Sequence, residues 1–148
     1  MASLGIFKRR KKETEEKVEK KVEEKTLLED LCKGDNELYS ALSRTLLLNP
    51  EATKKTGEMD ARVEKAQEHE KNKDYVRARI EYQVAAELAL YEGKTAQVQK
   101  LFKKAAEIDP NYPNRNIFEF FTKKENTEKA IAVAQEYYAH MTKPIPLE

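Results

Sequence analysis

The chain has one cysteine, four glycines and no tryptophan. A single cysteine, Cys32, excludes an intramolecular disulfide and suits a reducing compartment, so a cytoplasmic location is expected. So few glycines leave little material for tight turns, which argues against a chain built from many hairpins. Gly5, Gly34, Gly57 and Gly93 are also isolated from one another, so no glycine-rich loop cradles a phosphate. Histidine is scarce too. His69 and His140 lie in no HExxH pattern and in no zinc-like spacing with Cys32. No apolar run approaches the roughly 20 residues that cross a bilayer, and residues 1–7 are too short for a signal h-region. Net charge is also missing. With 28 basic and 27 acidic residues, any attraction to a polyanion must come from a local cluster.

What remains is dominated by Ala, Leu, Glu, Lys and Gln, which lose little side-chain freedom on a helix. A length of 148 residues fits one ordinary domain with a real core. The expected fold is all-α, in three parts. Residues 1–25 form a charged, flexible or frayed helical arm, 26–141 a helical domain, and 142–148 an extended tail. The arm carries a basic block, Lys8, Arg9, Arg10, Lys11 and Lys12, followed by mixed charge in which only Val18 and Val22 are apolar.

Within the domain the punctuation is regular and implies six short helices, the arm feeding the first. Leu27, Leu28 and Leu31 precede Gly34, a helix stop. Asp35 is a candidate N-cap for a helix through Leu38, Leu42, Thr45 and Leu46, ended by Asn49-Pro50. Residues 51–58 read as a polar connector. Asp60 caps a helix to about Asn72, with Ala61, Ala66, Val63 and His69 inward. Asp74 caps the next, Tyr75 to Tyr91, which is apolar over most of its circumference and should lie between neighbours. Thr95 to Ile108 is amphipathic, a short aromatic helix carries Ile117, Phe118, Phe120 and Phe121, and Thr127 caps a last helix to about His140.

Several of these helices share a pattern. Val98, Phe102, Ala105 and Pro110 are spaced by four, three and five residues, as are Leu38, Leu42, Thr45 and Pro50. Ala78, Tyr82, Ala85 and Leu90 repeat the spacing, as do Ala130, Ala134, Tyr137 and Thr142. The pattern resembles the second helix of the tetratricopeptide repeat, most closely in residues 60–90 and 93–112. That resemblance implies stacked antiparallel helix pairs with a concave binding face. The frames start 40, 20 and 32 residues apart, so an irregular helical bundle is the alternative architecture. Residues 60–108 are also similar to a three-helix microtubule-interacting-and-trafficking domain, which implies a groove for a partner helix.

Chemistry for catalysis is thin. Cys32 sits at a helix C-terminus, where the dipole raises a thiol pKa, and the carboxylates belong to amphipathic faces. Tyr75, Tyr82 and Tyr91 share one helix and suit packing or a peptide groove. The expectation is a non-enzymatic interaction module that binds a peptide or helical segment of another protein. No cofactor, metal or small-molecule substrate is expected. Arg77, Arg79, Tyr82 and Gln83 are the candidate partner-binding residues. One alternative is recruitment to a membrane surface or nucleic acid through Ile6 to Lys12. Another is a structural subunit that self-associates through its N-terminal helix.

Overall fold

The computed structural model describes residues 27–142, and these form an all-α domain without a strand. The proposed arm and residues 143–148 of the tail lie outside the described residues, as does the basic block Lys8 to Lys12. Residues 27–31 are helical. Seven helices follow: α1 (Asn36–Thr45), α2 (Pro50–Lys55), α3 (Met59–Lys71), α4 (Tyr75–Glu92), α5 (Thr95–Ile108), α6 (Arg115–Phe120) and α7 (Lys124–Met141).

The helix ends follow from capping chemistry. The Asp35 carboxylate accepts from the Leu38 amide at 3.1 Å, and Asp74 accepts from the Arg77 amide at 3.2 Å. Each satisfies one amide of a first turn that has no intrahelical partner. Gly93 ends α4 in the left-handed region at φ 75°. A Cβ there would meet only the end of the flexible Gln135 side chain, at 2.8 Å, so it is the conformation that calls for glycine.

Three boundaries differ from the sequence reading. The supposed connector holds α2: α1 stops at Thr45, short of the Asn49-Pro50 pair expected to end it, and that pair starts a new helix instead. The Asn49 side chain caps Ala52 at 2.7 Å, and Pro50 takes the first helical position, where an amide is not needed. Asp60 is not a cap but the second residue of α3; Glu58 is the cap position and makes no side-chain cap bond. Nor does Thr127 cap α7, which starts at Lys124; its hydroxyl bonds inward to the Phe121 carbonyl at 3.0 Å.

Short turns after α3 and α4 make α3–α4 and α4–α5 antiparallel neighbours, so α3 and α5 run parallel on either side of α4. α4 also packs on α2 and α7 and is the centre of the domain. The i, i+4, i+7 stripe is buried in four helices: Leu38, Leu42 and Thr45; Ala78, Tyr82 and Ala85; Val98, Phe102 and Ala105; Ala130, Ala134 and Tyr137. The aromatic helix closes one end. Phe102 stacks on Phe121 at 4.2 Å and on Phe118 at 5.7 Å between ring centres, while Phe120 stays half-exposed. Inward facing fails at Ala61, which is exposed; His69 and Val63 are half-buried.

Candidate functional site

The four residues expected to meet a partner do not share an accessible face. Arg77 is exposed and pairs with Asp74 at 3.5 Å. Arg79, Tyr82 and Gln83 are buried. Arg79 donates through Nε to Asp109 at 3.0 Å and through Nη1 to the Gln83 amide oxygen, and its guanidinium lies 3.8 Å from the centre of the Tyr112 ring. These contacts tie α4 to the chain leaving α5. A buried cation with a carboxylate, an amide and an aromatic face around it is an internal fastening, not a docking handle.

Tyr82 is different, since it borders an open groove. Because α3 and α5 each pack on α4 rather than on the other, a channel of about 540 Å³ lies between them. Met59 and Val63 of α3, Leu101 of α5 and Tyr82 of α4 supply its apolar lining. The Tyr82 hydroxyl donates to Glu70, which in turn pairs with Lys104 at 3.5 Å. Burial, then the bond to Glu70, pushes the Tyr82 phenol well above its usual range, so it remains a donor. This chain ties α3, α4 and α5 together at one end of the groove.

Along α5 the groove is edged by Lys100, Lys103 and Lys104, all exposed. Asp60 lies at the other end, near Lys94. The Lys94 ammonium is held above its usual range by its bond to Glu92 and, more weakly, by Asp60. From Gln97 to Glu107 the edge takes in eleven residues and spans about 15 Å at the helical rise. Of the expected partner-binding residues only Tyr82 lines this groove; Asp60 and Val63, expected as a cap and an inward-facing residue, line it as well. The signal was present in Val63, Gln67, Leu101 and Lys104, each on the amphipathic boundary of its helix.

Two further recesses are smaller. One, of about 490 Å³ between α1 and α6, is lined by Glu37, Ser40, Asn116, Glu119, Thr122 and Lys123 among others. The other, of about 430 Å³, lies where Thr53, Leu88, Tyr91 and Tyr138 meet. Behind it Glu87 is fully buried. Its Oε1 accepts from the Leu48 amide at 3.1 Å and the Thr53 hydroxyl at 3.4 Å, while Oε2 has no hydrogen-bond partner among the described residues. Desolvation outweighs those bonds and pushes the carboxyl up to about 8.

The sulfur and imidazole groups do not converge. Cys32 is buried, and burial followed by the charge of Asp35 pushes its thiol up to about 11, far from a ready nucleophile. His69 is half-buried on α3, and His140 is exposed in the last turn of α7. Among the described residues no three His, Cys, Asp or Glu side chains gather as a metal set, and no helix is long and apolar enough to cross a membrane. No family model, curated protein or solved structure matches the chain.

Proposed function

We propose that this chain is a non-enzymatic interaction module, working in a reducing cytoplasm, whose α3–α5 groove receives a peptide or helical segment of another protein. The observation that carries this reading is the groove itself: apolar side chains at its floor, open to solvent between two helices that a third holds apart. A channel about 15 Å long accommodates nearly three turns of a partner helix, which is the helix-in-groove mode of recognition. The tetratricopeptide-like spacing belongs to this proposal. A high thiol pKa at Cys32 and the separation of the two histidines favour binding over turnover.

The test is mapping with a captured partner. Val63→Glu places a charge on the groove wall at a half-buried position, and it should abolish binding while the far-ultraviolet helix signal is unchanged. Deleting residues 1–12 should leave binding intact. If the deletion removes binding and Val63→Glu is silent, recruitment through Lys8 to Lys12 replaces the groove.

A further inference from the structure

Resting on that groove, we infer that its occupant is an acidic amphipathic helix of a partner protein, with an apolar seam on the floor and carboxylates along the α5 side. The inference comes from how charge is distributed along the channel. The Glu70–Lys104 pair sets the register of the parallel helices α3 and α5. Stepping back from it along both helices puts Gln67 level with Leu101, Val63 level with Gln97, and Asp60 level with Lys94. The acids of the groove therefore sit toward its ends. Asp60 has Lys94 near it, Glu70 is held by Tyr82 and Lys104, and Glu107 lies beyond that pair.

The middle is different. Lys100 and Lys103 are exposed on the groove edge, and neither forms an ion pair among the described residues. Across the groove the α3 lining residues nearest them, Gln67 and Val63, are neutral. Among the described residues two ammonium groups without an ion pair thus flank an apolar floor at mid-channel, with Glu107 one turn beyond Lys103. An arriving helix with Leu or Met at i, i+3 or i+4, and i+7 fills the floor. Glu or Asp on the flank beside α5 answers the lysines, and a basic flank there meets like charge. Rim charges of this kind add little affinity and act mainly on partner choice and encounter rate. The apolar seam supplies the binding and the lysines select the sign.

A display library tests this directly. It presents 16-residue helical peptides with a fixed leucine seam and flank positions varied among Asp, Glu, Lys, Arg, Gln and Ser, panned against the full chain. Peptides enriched in Asp and Glu on one flank should emerge. Their binding should be lost in Val63→Glu and weakened about tenfold, about 1.4 kcal/mol in all, in the Lys100→Glu, Lys103→Glu double variant. The double variant should enrich Lys and Arg flanks instead. Selected peptides that need Val63 but carry neutral or basic flanks overturn the acidic partner and leave the groove reading standing. If no peptide binds in a Val63-dependent way, the groove reading falls with it. A single-stranded oligonucleotide that outcompetes every peptide and depends on Lys100 and Lys103 also overturns the proposal, in favour of a nucleic-acid edge.

Discussion

Over its first two turns α4 carries Tyr75, Val76 and Ile80, all exposed, whereas every residue from 82 to 90 is buried. Both halves are rich in apolar side chains, and Val76 and Ile80 continue the stripe that runs on through Val84 and Glu87. What differs is the cover. The C-terminal half meets α2 and the segment before it through Leu48 and Thr53 against Glu87. It meets α7 through Gln135 against the Tyr91 carbonyl and Tyr138 against the Tyr91 ring, 5.1 Å between centres. At the N-terminal half, cover comes from the end of α5, where Asp109 and Tyr112 enclose Arg79 but leave Val76 and Ile80 in solvent. Periodicity sets which residues share a face, while neighbouring helices decide whether that face is inside.

The largest effect that separates the halves is expected from Glu87, through pH. Its carboxyl sits near 8 in the folded chain, against 4.5 ordinarily. Below 4.5 both folded and unfolded states hold the proton, and burial costs no ionisation. Between 4.5 and 8 the unfolded chain releases it and the folded chain does not, so stability falls as pH rises, and above 8 the loss is complete. The ceiling is about 5 kcal/mol at 1.36 kcal/mol per unit. Urea melts of the protein and of Glu87→Gln should therefore diverge from pH 4.5 to 8, with the variant the more stable at pH 8. Parallel curves would show that Glu87 ionises freely.

Next in size is a matched truncation in the two halves. Leu90→Ala removes a fully buried side chain and should cost about 2–5 kcal/mol, while Ile80→Ala at an exposed position should change stability by no more than about 0.5 kcal/mol. Equal costs would mean that something covers Ile80 in solution. The smallest of the destabilising effects sharpens the other face of α4. Ala85 is fully buried on the side shared with Ala78 and Tyr82, so Ala85→Leu should overpack it by about 1–3 kcal/mol in thermal or urea melts. A neutral result would mean that α3 and α5 yield easily, and the groove between them would then change shape on binding.

Where local chemistry acts alone, sequence reading succeeded. The bounds of α5, the caps at Asp35 and Asp74, and the stop at Gly93 all follow from interactions within a few residues. The missed helix α2 was also local, since Asn49 caps it and Pro50 suits its first position. Arg79 and Gln83 illustrate the limit. On a helical wheel they border the polar side and invite a partner, yet Asp109 and Tyr112, some 30 residues later in the chain, close over them.

Composition, capping residues and the recurring i, i+4, i+7 stripe were enough to specify an all-α domain and its buried seams, because a helix's own geometry aligns those positions whatever surrounds it. The open groove depended on long-range packing. Its existence required α4 to hold α3 and α5 apart, its lysines without an ion pair among the described residues required Glu70 to reach Lys104 but not Lys100 or Lys103, and Glu87 became a high-pKa acid because α2 and its approach segment removed its water. Burial and charge pairing are properties of neighbours brought together in space, so they arise when the helices pack.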